Sequence, residues 1–358
     1  MASGYLKPDV YYQISALADK FGIDAAEEAA AFEVAHMAAV QSCVEEEKID
    51  CDLDFGEVVD VQLDDNHCTK LKAGYQFLLS LGALTATGAN FTPKETAEIV
   101  TRLWPYKFIT QLLERTVSAG VNFQTQTPVL RTSETPDIDG RWAVVTSRDS
   151  IRAELVVFAS NAYTSAIAPE YKDKIVPVRG VCSRIVVPNP PKTQLNCSYT
   201  LRFNAWDYDY LIPRPDGSIV VGGGKSKVSH DSSEWCNNTD DSRLIESAAR
   251  YFDNYVQRRF HGWEDAGAYT DRVWTGLMGY STDSLPHIGH IPNKPCQLVV
   301  AGFNGHGTPQ IFLSAQAIAQ MIIHGARYEE TKLPRLFMTT PERLSSQENH
   351  ILTYSKTI

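Results

Sequence analysis

The residues best placed to do chemistry are Val299-Val300-Ala301-Gly302-Phe303-Asn304-Gly305-His306-Gly307-Thr308-Pro309. The apolar run Gln297–Ala301 reads as a buried strand. Thr308–His324 reads as a helix, with Pro309 near its start and Gly325 just past its end. Three glycines between the two let a ligand approach the backbone closely. The helix start then offers unpaired N–H groups and a positive dipole end to an anionic or electron-rich group. The plainer alternative is a tight turn that uses glycine only for its shape, and His306 taken alone favours it.

Four aromatics, Trp206, Tyr208, Tyr210 and Trp274, are candidates for a cage around a cationic amine, a contact worth ~0.5–2 kcal/mol. Tyr208 and Tyr210 share one strand face at period two. The competing reading is packing, because aromatics dominate buried area in any core. Arg214 falls in a hairpin turn and reads as solvated. No zinc-type His/Glu motif, Gly-x-Ser-x-Gly elbow or phosphate P-loop occurs, so no metal site is expected.

These candidates must be positioned by a folded chain. In 358 residues, 43% are hydrophobic and 21% charged, which excludes a disordered chain and gives length for two domains. A balance of 33 Lys+Arg against 43 Asp+Glu leaves a net charge of −10, which excludes nucleic acid as the main partner. The N-terminus lacks the basic-then-apolar pattern of a signal peptide, and no run approaches the ~18 apolar residues of a membrane span. Ser355-Lys356-Thr357-Ile358 is not a Ser-Lys-Leu type address. A cytoplasmic protein without a membrane partner is expected. Its seven scattered cysteines, with no Cys-x-x-Cys, read as reduced thiols.

Along the chain, Asp24 and Glu27 form a capping-box pattern for an alanine-rich helix running to about Lys48. A second helix is expected from about Asn66 to Leu81, and Gly82–Thr101 reads as a loop or crossing. Pro105–Ala119 is a helix, followed by strands at Val121–Gln124, Val129–Arg131 and Arg141–Ser147. The apolar run Glu154–Ala159 suits a strand of a parallel sheet buried on both faces. Ile175–Val178, Val181–Val187, and a hairpin of Tyr208–Ile212 with Ser218–Val221 about Arg214-Pro215-Asp216-Gly217 read as an antiparallel sheet. A helix over about Asp241–Phe260 follows.

Five segments, in order, resemble the FAD-dependent oxidoreductases related to D-amino-acid oxidase and glycine oxidase. Gly302-Phe303-Asn304-Gly305-His306-Gly307 looks like the family's terminal flavin motif. Ser3-Gly4-Tyr5-Leu6 resembles the end of an Arg-Asn-Gly-Gly segment beside the flavin. Trp104-Pro105-Tyr106 with Thr127-Pro128-Val129 resembles the helix and strand near the adenosine. Phe158-Ala159-Ser160-Asn161-Ala162-Tyr163 resembles the turn under the cofactor. The stretch from Trp274 to Gly289 resembles a Trp-x-Gly … Asp-x-x-Pro-x-Ile-Gly signature.

The resemblance implies an α/β fold, with a Rossmann-type FAD-binding domain interleaved with an antiparallel-sheet substrate domain carrying helices. Residues 1–9, 104–172 and 287–358 would bind FAD, and 10–103 and 173–286 would hold the substrate. Implied cofactor residues are Gly4, Tyr5, Leu6, Val129, Ala159, Ser160, Asn161, Gly276, Asp283, Gly302, Gly305, His306, Gly307 and Thr308. The family's opening Gly-x-Gly-x-x-Gly does not occur, and Gly222-Gly223-Gly224 after a hairpin strand is no substitute. The Rossmann-type domain is therefore expected to be N-terminally incomplete. Relatives that attach flavin covalently here use a Cys where this chain has Gly276, so the implied FAD is noncovalent. Amino-acid oxidases place a carboxylate-binding Arg where this chain has Met278, which favours an amine substrate, as in the branch resembling γ-glutamylputrescine oxidase. The implied reaction is hydride transfer from a carbon bonded to nitrogen, with dioxygen as the second partner. The alternative is a truncated, catalytically inactive member acting as a binding or interaction protein.

Overall fold

The computed structural model describes residues 4–83, 85, 89–91, 95–192 and 194–351; Ser3 and Ser355–Ile358, read above, lie outside them. The N-terminal part forms β1 (Tyr5–Leu6), α1 (Ile14–Phe21), α2 (Ile23–Glu46), β2 (Asp54–Gln62), α3 (Asp65–Ser80), β3 (Asn90–Phe91), β4 (Glu95–Arg102) and α4 (Pro105–Ser118). Next come β5 (Val129–Thr132), β6 (Trp142–Thr146), β7 (Ser150–Ala153), β8 (Val156–Phe158) and β9 (Ile175–Val186). The chain continues through β10 (Ser198–Arg202), β11 (Tyr208–Pro213), β12 (Ile219–Gly223) and β13 (Tyr269–Ser281). It closes with β14 (His287–His290), β15 (Gln297–Ala301) and α5 (Ile311–His324), which Gly325 ends at φ 64°. The fold is mixed α/β, built as two compact units: residues 1–108 with 179–277, and residues 109–178 with 278–358.

The first unit is organised by a large sheet in the order β1-β4-β2-β10-β11-β12-β9-β13, with β3 also on β4. Strand β2 pairs antiparallel with β4 and parallel with β10. The register sets Thr96 opposite Asp60, Asp60 opposite Thr200, and Thr200 opposite Tyr210. One row on, Glu98 and Ser198 flank Val58. Because side chains alternate along a strand, all of these share one face. The hairpin at Arg214–Gly217 forms as its residues dictate: Gly217 sits at φ 79°, and Arg214 N donates to Ser218 O at 2.8 Å. Asp64 caps α3 by accepting from His67 N at 2.9 Å.

Several expectations are corrected here. Helix α2 is capped by Gly22 and not by Asp24, which lies in the first turn; Glu27 instead accepts from the Thr85 hydroxyl at 2.5 Å. Segment 82–101 contains β4, hidden from the sequence because its periodicity is inverted: Thr96 and Glu98 are buried while Ile99 is 64% exposed. The long helix over 241–260 does not form. Asn254 enters the left-handed region at φ 50°, and Tyr251 and Tyr255 turn inward to donate to buried Asp209, each at 2.6 Å, leaving only a short helix at Tyr255–Arg259. No strand forms at 121–124, and the two segments expected at 175–187 are the single strand β9. Strand β1, in the segment that the sequence reading groups with the cofactor-binding parts, pairs with β4 in the large sheet.

The second unit holds two three-stranded sheets, β5-β6-β7 and β14-β15-β8. The apolar run at β8 pairs parallel with β15, but it is not buried on both faces as expected: Val157 is 37% exposed while Phe158 is buried. Phe158, Tyr171, Ile175, Val299 and Ala301 pack into one cluster beneath this pair.

Candidate functional site

In the second unit, the chain leaving β15 turns sharply through Gly302 (φ 79°), Asn304 (φ 55°) and Gly305 (φ 77°). Two asparagine side chains hold this turn. Asn161, at the end of β8 and itself at φ 41°, accepts from Gly302 N at 3.0 Å and Phe303 N at 3.4 Å. Asn304 donates its own N–H to Gly279 O at 2.8 Å, accepts from Ser281 N at 2.8 Å, and returns its amide to Gly302 O at 2.7 Å. Each such bond is worth ~0.5–1.5 kcal/mol net, so the set fixes the loop rather than merely permitting it. A Cβ on Gly279 would lie 2.5 Å from Asn161 Oδ1, which is why that strand position is bare.

On the far side the loop is accessible: Gly305 is exposed, and Asn304, His306, Gly307 and Thr308 are half-buried. Gln310 N and Ile311 N both donate to Gly307 O, at 2.9 and 2.8 Å, so the chain begins to wind at Gly307 although regular helix starts at Ile311, three residues later than expected. The glycines also serve internal packing. A Cβ on Gly305 would meet Tyr280 Oη at 2.8 Å and Met278 Sδ at 3.2 Å, and one on Gly307 would meet Ile311 Cδ1 at 2.7 Å. Met278 therefore lies beside the loop. The result is a stiff turn with accessible backbone and an α5 dipole behind it.

The structure thus brings together Ala159, Ser160, Asn161, Met278, Gly302, Gly305, His306, Gly307 and Thr308; Ser160 Oγ lies 2.9 Å from Thr164 Oγ1. Asp283 belongs to the same unit but is engaged elsewhere. Arg343 grips both its oxygens, at 2.7 and 3.1 Å, and donates to four carbonyls, including those of Leu285 and Pro286. Burial pushes this carboxyl up, yet the Arg343 pair outweighs it and holds the group below its usual range. Val129 lies in β5.

The remaining candidates lie in the first unit. Trp274 and Gly276 sit in β13, and Tyr5 and Leu6 in β1. Gly4 is a packing glycine, since a Cβ there would fall 1.9 Å from Leu103 O. Tyr208 is 41% exposed, Tyr210 Oη lies 3.0 Å from Cys182 Sγ, and the Trp206 ring stands 5.9 Å from Lys225 Nζ. Arg214 is not solvated: its side chain is 13% exposed, and it pairs with Asp52 at 3.3 Å.

Sequence reading passed over the charged residues of the large sheet. Asp60, fully buried, accepts from Lys7 Nζ at 2.6 Å, Tyr11 Oη at 2.6 Å and Arg202 Nε at 2.8 Å. Burial alone would raise the Asp60 carboxyl, but Lys7 and Arg202 overcome it and hold it far below the ordinary range. Glu98, whose Oε1 stands 3.5 Å from Lys7 Nζ, is pushed up to about 8 by burial, with Asp60 adding to the shift and Lys7 opposing it. The signal in the sequence was polar residues at alternate positions, Asp60 with Gln62 and Thr96 with Glu98, which usually marks a solvated face.

Among the described residues no group of His, Cys, Asp and Glu could hold a metal ion, and no helix is long and apolar enough to cross a membrane. Residues 5–321 match a family model described as DAO, FAD dependent oxidoreductase. Glycine oxidase from Geobacillus kaustophilus has a similar fold, with a TM-score of 0.69 at 17% identity over 91% of this chain and 85% of that one. Glycine oxidase from Bacillus cereus ATCC 14579 gives 0.65 at 13% identity over 95% and 87%. L-proline dehydrogenase from P. horikoshii gives 0.63 at 17% identity over 84% and 80%. A stretch of 62 residues, 17% of the chain, is also 81% identical to part of the mitochondrial amino-acid acetyltransferase of Aspergillus oryzae (strain ATCC 42149 / RIB 40). The match spans 9% of that curated relative's length.

Proposed function

Because the chain belongs to the DAO family of FAD-dependent oxidoreductases, we propose that it oxidises the C–N bond of a small amine or amino-acid-like molecule, passing hydride to noncovalent FAD that dioxygen then reoxidises. The observation that carries this reading is the loop at Gly302–Thr308, pinned by Asn161 and Asn304 and accessible on its outer side. Such a surface of fixed backbone groups fits the flavin end of the cofactor, and Gly305, His306, Gly307, Thr308 and the Asn161 turn are the residues that would hold it. No described residue is assigned to the diphosphate.

Bound FAD would supply the electron sink for a substrate C–H. The protein's own part is to orient and to exclude. The N-terminal end of α5 stabilises negative charge growing beside the loop. Met278, against Gly305, presents a thioether where a carboxylate clamp would need a guanidinium, which favours amines over α-amino acids. Tyr208 and Tyr210 are the aromatic candidates for contact with the amine, and no obligatory general base is required of the chain.

Two measurements test the reading. Purified protein titrated with FAD should quench flavin fluorescence and retain yellow colour through gel filtration; a chain that takes up no FAD is the inactive binding protein of the alternative reading. The loaded protein, mixed anaerobically with substrates, should be bleached by primary or secondary amines in preference to α-amino acids. The reverse preference sinks the Met278 assignment.

A further inference from the structure

The interior face of the large sheet is left chemically unfinished by its own residues. Asp60 is satisfied by Lys7, Tyr11 and Arg202, but its neighbours are not. Glu98 Oε1, both amide atoms of Gln62, and the hydroxyls of Thr96 and Ser198 have no hydrogen-bond partner among the described residues. All four side chains are buried: Glu98 is 4% exposed, Gln62 3%, and Thr96 and Ser198 0%. Buried polar groups are costly to leave unmade, and this many on one face is unusual. The register gathers them. Thr96 is opposite Asp60, Glu98 and Ser198 flank Val58, and Gln62 is beside Arg202, which is itself opposite Tyr208.

We propose that this face binds the polar head of an amine substrate, whose N–H groups donate to Glu98 and whose further polar atoms engage Gln62, Thr96 and Ser198. The word substrate rests on the amine-oxidising reading above; the binding site does not. The choice of an amine follows from what is missing. Lys7 and Arg202 spend their short contacts on Asp60, so the unmatched carboxyl is Glu98, and what Glu98 lacks is a donor. A carboxylate ligand would meet Glu98 as one acid meets another. The charged and titratable groups that bear on Glu98 are Tyr5 from β1, Lys7, Asp9 and Tyr11 from the segment after it, Asp60 from β2 and Arg202 from β10. Burial favours the protonated form of its carboxyl. A bound ammonium group therefore favours ionisation of Glu98, and binding releases a proton.

Isothermal titration calorimetry on the full FAD-treated chain tests this, with ethanolamine, butylamine and butyrate as probes in buffers of different ionisation enthalpy. Both amines should bind, butyrate should not, and the heat at neutral pH should report proton release. Glu98→Gln should weaken amine binding about tenfold, the loss of one charge-assisted hydrogen bond, and abolish the release. Thr96→Val, a milder change, should weaken binding about threefold while keeping the release, so the result survives if Glu98→Gln folds poorly. Binding of butyrate in place of amines, no amine binding at all, or equal binding and release in Glu98→Gln would each overturn the proposal. Amine bleaching of the flavin that is untouched by Glu98→Gln leaves the oxidase reading standing and removes this site. Amine binding and proton release without bleaching keeps the site and removes the oxidase reading.

Discussion

At the Gly302–Gly307 loop, neutral asparagine amides hold backbone groups in place, while across the interior face of the large sheet formal charges hold one another. The asparagine bonds that hold the loop involve no titratable group, so they do not themselves depend on pH. The sheet face concentrates Lys7, Asp60 and Arg202 where water is excluded, so removing Asp60 leaves two cations without compensation. A fixed shape suits the recognition of a large rigid cofactor. A charge-bearing face with unmatched donors and acceptors suits a small polar ligand that brings its own charge.

The largest test of this contrast is Asp60→Ala. It strands Lys7 and Arg202 in the interior, and urea unfolding should show a loss of about 3–5 kcal/mol. A loss below about 1 kcal/mol would mean that the face is solvated and the contrast false. Asn161→Ala comes next. It removes the acceptor of Gly302 N and Phe303 N and should cost about 1–3 kcal/mol, by the same amount at acid and neutral pH, together with weaker FAD uptake by fluorescence titration. A cost that varied with pH would break the distinction between the two regions.

Glu98→Gln gives the effect with the sharpest pH signature. The folded-state value of this acid lies above its unfolded value, so the folded chain holds the proton more tightly. The group's favourable contribution is present in full below about pH 4 and drains away as pH rises towards about 8. Glutamine cannot ionise, so the variant's melting temperature should gain on the parent's across that window. The difference between the two melting temperatures should widen steadily across that window and level off above about pH 8. Parallel melting curves at the two pH extremes would remove Glu98 from the charged cluster.

What the sequence disclosed follows the same division. The turn after β15, the α4 helix, the hairpin at Arg214–Gly217 and the parallel partner at β8 were all legible, because glycine, proline and unbroken apolar runs act locally. The mixed α/β class and the family followed from motifs of that kind. Strand β4 was not legible, because three of its four buried positions, Thr96, Glu98 and Thr101, are polar while Ile99 is exposed, so the hydrophobic pattern is obscured. The broken helix near Tyr255 was likewise hidden, since nothing local announces that Asp209, 46 residues earlier, will take the Tyr251 and Tyr255 hydroxyls. Asn304 was in plain view within the glycine turn, yet only the bonds to Ser281 and Gly279 show it as the second anchor. The charged face was missed altogether, because pairing across strands, not spacing along them, creates it.

Each unit is drawn from two separated stretches of chain, and that has a consequence for how the protein is made. Residue 58 finds its parallel neighbour only at residue 198, and residue 156 finds its own only at residue 297. A nascent chain therefore carries β2, with Asp60 in it, for well over a hundred residues before Arg202 emerges from the ribosome. Sheets closed by such distant partners form slowly and leave strand edges open meanwhile. Expression at low temperature or with abundant chaperones should raise the soluble yield more than any change to the surface.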